Sequence, residues 1–131
     1  MFLALKQQIF KKIHMEVDIK ENKDLELESR FSFQINYNED NSTCIAHLHQ
    51  EVRNRGTSNE FSVLVEGLGY FLCEGIETDD DKRNAHVQAY MLLFPYVQNM
   101  IAQLSKDAGL PPFMIDMAKM KPEDVELGTK S

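Results

Sequence analysis

Two histidines are the side chains of this sequence best placed for chemistry. His47 and His49 are two residues apart in the run AHLHQ. If this run is a β-strand, both imidazole rings lie on the same face of the sheet, because strand side chains alternate between the two faces. A metal site would need a third ligand, for instance His14 or Glu51. The alternative is a pair of solvated histidines on the outer face, and we expect no bound metal.

The two cysteines do not form a recognisable motif. Cys44 and Cys73 are far apart in the chain, and neither belongs to a Cys-x-x-Cys sequence. This spacing gives neither a zinc signature nor a disulfide framework, so we expect two buried free thiols on strands. The sequence also lacks phosphate-loop, dinucleotide-binding and nucleophile-elbow motifs. It therefore predicts a protein that is not an enzyme and that uses no cofactor.

The composition is that of a folded, acidic protein. The 131 residues are 43% hydrophobic and 27% charged, with a formal net charge of −7 at pH 7. This length suits one domain. We expect no nucleic-acid binding, because phosphate contacts require a basic surface. The run MFLALKQQIF has no basic leader and too short an apolar stretch for a signal peptide or membrane span. We therefore expect a cytoplasmic protein with no membrane insertion.

Hydrophobic and polar residues alternate through residues 1–75. This pattern predicts half-buried strands, and the polar runs 20–24, 38–42 and 54–60 are typical of the turns between them. Four strands followed by a helix predict an α+β fold with an antiparallel sheet. We also expect a bulge or bend near Gly67. The positions expected to face the core are Ile13, Met15, Val17, Ile19, Leu25, Leu27, Phe31, Phe33, Ile35, Tyr37, Cys44, Ala46, Leu48, Val52, Phe61, Val63, Val65, Phe71 and Cys73.

A single long helix is expected over residues 80–106. An aspartate among residues 79–81 is placed to cap its N-terminus, and Gly109 is a typical C-terminal stop. About 26 residues would form a rod of roughly 40 Å. Pro95 lies inside this segment and predicts a kink, because it cannot donate a backbone hydrogen bond and its ring crowds the preceding turn.

The apolar residues of this helix cover more of its circumference than one sheet needs. On a helical wheel they span about 220°, whereas a helix lying on one sheet needs a stripe only a little wider than about 100°. We therefore expect another copy of the protein to cover the surplus, which makes the chain oligomeric. The expected interface residues are Tyr90, Leu93, Phe94, Val97, Met100, Ile101 and Leu104.

After the helix we expect a short apolar segment and then a polar tail. Residues 1–121 are assigned to a single domain and residues 122–131 to the tail, in which Pro122 can open one helical turn. Three of the seven methionines lie within residues 114–120, and flexible thioethers near a surface suit the binding of varied apolar partners. The alternative is that they seal the sheet edge or a subunit contact.

The sequence resembles the SecB family of protein-export chaperones in three places. LFPY at 93–96 matches a tetrapeptide in the main helix of that family. GYFLCEGIE at 69–77 resembles the run before this helix, and GLPPFMI at 109–115 resembles the loop after it. The similarity extends over residues 9–118 and includes the order of four strands and one long helix.

The resemblance implies an ATP-independent holdase that binds unfolded or extended polypeptides and passes them to a SecA-type export motor. It also implies self-association as a homodimer or a dimer of dimers. The residues that would line a client groove are Phe31, Phe33, Ile35, Tyr37, Phe113, Met114, Ile115 and Met117. The motor-docking residues carried over from the family are Glu16, Leu64 and Glu66, on the outer face of strands one and four.

The sequence also departs from the family pattern. The family has a longer, aromatic loop between strands one and two, where this chain has KENKD, and a second C-terminal helix that is not found before Ser131. Lys12 stands where the motor site of the family has an acidic residue. Two alternatives therefore stay open. One is an oligomeric adaptor that binds one folded partner through its acidic sheet face, and the other is a chaperone dedicated to one client, such as an antitoxin.

Overall fold

The computed structural model describes residues 1–19, 25–111 and 114–127. Within them the chain forms four strands, then a long helix and a single 3-10 turn. None of the helices described has the length and apolarity that crossing a membrane requires. The predicted α+β architecture is confirmed. Its elements are β1 (Phe2–Val17), β2 (Leu27–Tyr37), β3 (Thr43–Asn54), β4 (Phe61–Glu74), α1 (Asp79–Asp107) and the 3-10 turn Pro122–Asp124.

The four strands form one antiparallel sheet in the order β1-β4-β3-β2. Burial alternates along β3 and β4, because one face of each central strand packs beneath α1 while the other faces away from it. We call these the inner and outer faces. The predicted inner positions of the central strands are confirmed as buried: Cys44, Ala46, Leu48, Val52, Phe61, Val63, Val65, Phe71 and Cys73.

β1 is longer and less regular than the alternation predicted. It covers 16 residues and shifts register against β4 twice, between Leu5 and Gln7 and between Phe10 and Lys12. Each shift adds one residue to β1 and exchanges the faces of the residues that follow. One shift lies opposite Gly67, because Phe10 pairs with Gly67 and Lys12 with Glu66. The bulge expected near Gly67 is therefore found at that level of the sheet, but in β1 rather than in β4.

The second half of β1 lies on the predicted face but is not covered. Ile13 and Val17 pair with the buried residues Val65 and Phe61 and so lie on the inner face. They remain 45% and 41% exposed, because β1 is an edge strand with no neighbour on its other side among the described residues. The alternation thus predicts their orientation correctly and their burial incorrectly.

The glycines of β4 allow α1 to approach the sheet. A Cβ atom on Gly67 would lie 2.8 Å from Cγ2 of Val97, and one on Gly69 would lie 2.8 Å from Cε2 of Phe71. Carbon atoms do not approach this closely in a packed interior, so a side chain at either position would force its neighbours to move. The two glycines are therefore packing residues.

α1 begins with a capping box. The hydroxyl of Thr78 accepts a hydrogen bond from the backbone N–H of Asp81 at 3.1 Å. In return, the carboxylate of Asp81 accepts bonds from the backbone N–H groups of Glu77 and Thr78, each at 3.0 Å, and these bonds lower the pKa of Asp81. The N-cap residue is thus Thr78, and one of the predicted aspartates, Asp81, completes the capping box.

Most of the apolar arc of α1 is buried within its own chain. Leu93, Val97 and Ile101 are 0% exposed, while Tyr90 is 1% and Phe94 is 6% exposed. The arc packs partly on the sheet and partly beneath the chain that follows the helix, so one protomer covers a wider arc than a sheet alone would. The prediction that these five residues form a subunit interface is therefore corrected, because they belong to the protomer's core.

Three apolar side chains of α1 stay exposed. Met91, Leu92 and Tyr96 are 51%, 42% and 46% exposed. Leu92 and Tyr96 lie one turn apart on the same side of the helix, whereas Met91 lies about 100° around it from Leu92. Met100 and Leu104, the remaining residues of the predicted interface, are partly buried against the core. A contact between copies through α1 would thus use Leu92 and Tyr96 rather than the predicted set.

The segment predicted as a polar tail is partly packed. Pro122–Asp124 forms the 3-10 turn, which agrees with the turn expected at Pro122. Val125 is 8% exposed, so this part of the chain lies against the domain. Residues 128–131 lie outside the described residues.

Candidate functional site

An extended segment lies along α1 after the helix ends, and we call its residues 114–120 the strap. The backbone N–H of Ile115 donates a hydrogen bond to Oε1 of Gln98 at 2.8 Å. The backbone N–H of Ala118 donates to the hydroxyl of Tyr90 at 2.9 Å. The strap is thus held by two side chains of the helix and runs antiparallel to it.

The side chains of the strap divide between the core and the solvent. Ile115, Ala118 and Met120 pack against the hydrophobic core. Met114 and Met117 are 74% and 40% exposed. The strap therefore presents two flexible apolar side chains at the surface, which are typical of sites that accept varied apolar partners.

The inner face of β2 carries an aromatic row beside the same helix. The ring centroids of Phe31 and Tyr90 are 5.4 Å apart, and those of Phe33 and Tyr90 are 5.5 Å apart. Phe33 also meets the ring of His86 edge-on at 4.9 Å, and burial lowers the pKa of His86. Phe31 is 41% exposed, so the row forms a surface rather than a closed core.

Tyr90 connects β2 with the strap, since its ring lies beneath Phe31 and Phe33 and its hydroxyl binds the strap backbone. Among the described residues, β2 pairs with β3 alone, which leaves its other edge available for hydrogen bonding with an added chain. The structure therefore brings together two segments that were predicted to line one groove.

A cleft of about 1250 Å³ lies at the end of β2. Its lining includes Ile35 and Tyr37 of β2 together with Val125 and Leu127 from the C-terminal part of the chain. The ammonium group of Lys82 lies 5.3 Å from the centroid of the Tyr37 ring, and burial raises the pKa of the Tyr37 hydroxyl. The lining of the cleft also includes carboxylates, such as Asp79 and Glu126, and a second cation, Arg83. The cleft thus mixes apolar side chains with charged groups of both signs.

Of the eight predicted groove residues, Phe113 lies outside the described residues, and the roles of the others stay predictions. Sequence reasoning missed Gln98, Val125 and Leu127 as residues of this region. Gln98 did leave a signal, because it is a polar residue inside the apolar arc of α1 and is 4% exposed. A glutamine buried in such an arc requires a polar partner, here the strap.

The predicted docking residues share the outer face of the sheet, on the side away from the groove. Glu16, Leu64 and Glu66 pair across β1 and β4 with Ser62, His14 and Lys12, and their role in docking stays a prediction. The side chain of Glu16 is 54% exposed and that of Glu66 is 15% exposed. Glu16 is therefore the more accessible of the two carboxylates.

The two central histidines face Glu66. Oε1 of Glu66 lies 2.8 Å from Nδ1 of His49 and 3.6 Å from Nε2 of His47, and the hydrogen bond with His49 lowers the pKa of Glu66. Within the described ranges, no group of three or more histidine, cysteine, aspartate or glutamate side chains is arranged to hold a metal ion. The side chains of His47 and His49 are only 21% and 31% exposed, so the pair is partly buried beside Glu66 rather than solvated.

Cys44 and Cys73 are buried free thiols, as predicted, with their Sγ atoms 3.4 Å apart. Burial raises the pKa of both thiols. The thiolate is the nucleophilic form of cysteine, and a raised pKa keeps both side chains protonated. This pair therefore contributes to packing.

Comparison with known proteins agrees with the fold. The family described as preprotein translocase subunit SecB matches residues 4–121. The protein-export protein SecB of Anaplasma phagocytophilum (strain HZ) is 34% identical over 67 residues, covering 41% of this chain and 42% of that protein. The match thus spans less than half the length of this curated relative.

A solved structure shares the same architecture. The SecB-like chaperone of Mycobacterium tuberculosis, in complex with a ChAD peptide from the HigA1 antitoxin, superimposes with a TM-score of 0.69 and 14% identity. The match covers 88% of this chain and 90% of that chain. At this identity the likeness shows the fold. Because the family match itself extends over residues 4–121, this chain belongs to the SecB family.

Proposed function

We propose that this protein is a cytoplasmic, ATP-independent chaperone that binds unfolded or extended polypeptides in the groove between β2 and the strap. The observation that carries the proposal is the partly exposed aromatic row of β2, with Phe31 41% exposed, which Tyr90 joins to the strap that carries the exposed Met114 and Met117. Family membership supports it. So does the fold shared with a SecB-like chaperone whose structure contains a peptide.

The groove offers two kinds of interaction that do not depend on the particular amino-acid sequence of the client. Its apolar side chains remove apolar surface of the client from water, which stabilises the complex by about 25 cal/mol per Å². The unpaired edge of β2 offers backbone donors and acceptors to an added strand. Neither interaction consumes a nucleotide, so the proposed activity is binding alone and not catalysis.

The direct test is suppression of aggregation when a chemically denatured protein is diluted into buffer without nucleotide. At a stoichiometric ratio of wild-type protein to client, we expect light scattering to be suppressed, because the groove holds the apolar segments that would otherwise associate. The Glu16→Lys/Glu66→Lys variant, altered on the outer face alone, should suppress aggregation equally. Undiminished scattering at a several-fold excess of wild-type protein would contradict the proposal.

The same Glu16→Lys/Glu66→Lys variant distinguishes a chaperone that docks an export motor from an adaptor that binds a partner through its outer face. Docking of a SecA-type export motor on the outer face is proposed from family membership, with the exposed Glu16 carboxylate as its main anchor. Reversing both charges should abolish capture of the motor while leaving aggregation suppression intact. If suppression were lost together with motor capture, an adaptor that binds through its outer face would explain the protein better.

We also propose that copies of the protein associate through α1. Leu92 and Tyr96 lie one turn apart on the helix and are 42% and 46% exposed, and neighbouring apolar side chains left in contact with water are a feature of contact surfaces. Leu92→Asp should therefore lower the mass measured by sedimentation, whereas Gln103→Asp at a solvent-exposed position of the same helix should not. A wild-type protein that stays monomeric at high concentration would refute this proposal without affecting the groove.

A further inference from the structure

Two polar side chains lie inside the otherwise apolar arc of α1. Tyr90 is 1% exposed and Gln98 is 4% exposed. Burying an amide or a hydroxyl is unfavourable unless it is hydrogen-bonded. Both side chains bind the backbone of the strap, through the N–H of Ala118 at 2.9 Å and the N–H of Ile115 at 2.8 Å.

These bonds are the main polar anchors of the strap. Among the described residues, residues 114–120 make no backbone–backbone hydrogen bond to the rest of the chain. The amide of Gln98 adds a weaker contact, from Nε2 to the sulfur of Met114 at 3.4 Å. The strap is therefore fixed to the helix by its own apolar side chains and by two polar side chains of the helix, Tyr90 and Gln98. Core packing alone would not require polar residues at these two positions.

The spacing of the anchors matches an extended chain. Tyr90 and Gln98 are eight residues apart on α1, which is about 12 Å along a helix. Their partners Ala118 and Ile115 are three residues apart, which is about 10 Å in an extended strand. The two anchors thus hold the strap straight, with Met114 and Met117 presented at the surface.

Tyr90 also sets where the strap lies relative to β2. Its ring centroid is 5.4 Å from that of Phe31 and 5.5 Å from that of Phe33, while its hydroxyl binds the strap. One rigid side chain therefore spans the floor of the groove from one wall to the other. Tyr90 therefore links the position of the strap to that of β2.

We propose that Tyr90 and Gln98 are positioning residues that hold the strap as a fixed wall of the client groove. This inference rests on the proposed chaperone function and adds to it the two residues that preorganise the site. With the strap anchored, the backbone that carries Met114 and Met117 is ordered before a client arrives, so binding does not bear the entropic cost of ordering that backbone. The ligand class is an extended polypeptide with apolar side chains.

The test uses Tyr90→Phe, which keeps the ring and removes the hydroxyl, and Gln98→Leu, which keeps similar volume and removes the amide. Tyr70→Phe and Gln103→Leu make the same chemical changes away from the strap. The probe is fluorescently labelled, reduced and carboxymethylated α-lactalbumin, a permanently unfolded protein. Its Kd should rise about 2- to 10-fold with each strap variant, which is the range for one net hydrogen bond, and should not change with the controls.

Hydrogen exchange of the client-free variants distinguishes a local loosening of the strap from a loss of overall stability. In the Tyr90→Phe and Gln98→Leu variants, the amides of Ala118 and Ile115 should exchange faster than in the wild type. The amides of the central strands β3 and β4 should keep their wild-type protection. Uniformly faster exchange of strap and core together would contradict a positioning role.

Two affinity results would overturn the inference. An unchanged Kd in a variant whose strap amides exchange faster would show that the wall does not need anchoring. A lower Kd would show that the strap covers the site rather than forming its wall. A wild-type protein that does not bind the probe would instead contradict the proposed function, so the two failures are distinguishable.

Discussion

Replacing Phe31 by aspartate should weaken the binding of an unfolded client by about threefold to tenfold, because a client can bury only the exposed part of this side chain, which contributes roughly 0.6–1.2 kcal/mol. Phe31 is 41% exposed on the inner face of β2 and lies beside the ring of Tyr90. An aspartate there would also require a charge to be desolvated when the client binds. Fluorescence anisotropy with the labelled α-lactalbumin probe measures the change.

Ile45→Asp is the matched control for this change. Ile45 is also 41% exposed and also lies on a strand of this sheet. It pairs with Tyr70 and lies on the outer face, opposite to Phe31. The control should bind the client with wild-type affinity. Equal losses in the two variants, or a loss confined to Ile45→Asp, would show that the groove is assigned to the wrong face.

Replacing Gly67 by alanine should destabilise the protein by about 1–3 kcal/mol, the usual cost of overpacking a core. The added Cβ atom would lie 2.8 Å from Cγ2 of Val97, and Val97 is 0% exposed beneath the sheet. Neither the β-branched side chain nor the strand has room to move away. Urea unfolding followed by circular dichroism measures the loss in the free energy of unfolding.

A double-mutant cycle with Val97→Ala isolates this contact. Val97→Ala alone should also destabilise the protein, because it leaves a cavity. In the double variant the methyl group added at position 67 occupies the space that the valine methyl has left. The combined loss should therefore be smaller than the sum of the two single losses. Strictly additive losses would show that Gly67 and α1 do not press against each other.

The central strands are predictable from sequence, because their two faces have different environments. Cys44 to Val52 and Phe61 to Cys73 alternate between a buried and an outer face without interruption, so a period of two is enough to orient them. β1 is harder, because two register shifts exchange its faces within one strand. Alternation cannot reveal a bulge whose position is set by pairing with β4.

The sequence correctly predicts that the apolar arc on α1 is wider than one sheet can cover. It assigns the additional cover to a second copy of the protein, whereas the same chain supplies most of it. The strap covers the part of the arc that the sheet does not reach. An extended segment without regular secondary structure has no periodicity that would place it on a helix from sequence. The pairing of Glu66 with His49 was also unpredicted, since it joins residues 17 positions apart across two strands.

The sequence predicts the two walls of the proposed groove separately, but not how they meet. Phe31 and Phe33 were assigned by resemblance to the family, and the structure places them beside a segment that begins about eighty residues later in the chain. The residue that joins them is Tyr90, which was predicted to lie at a subunit interface. Its dual role depends on a ring contact with β2 and a hydroxyl contact with the strap, and no single-sequence pattern encodes that combination.

Hydrogen exchange of the wild-type protein with and without an unfolded client tests the central claim most directly. We expect the client to slow exchange at the backbone amides of β2 and of the strap, because an added chain covers both walls of the groove. The outer-face positions of β1 should exchange at the same rate in both samples. Slower exchange confined to β1, or no change anywhere in the presence of bound client, would contradict a binding groove between β2 and the strap.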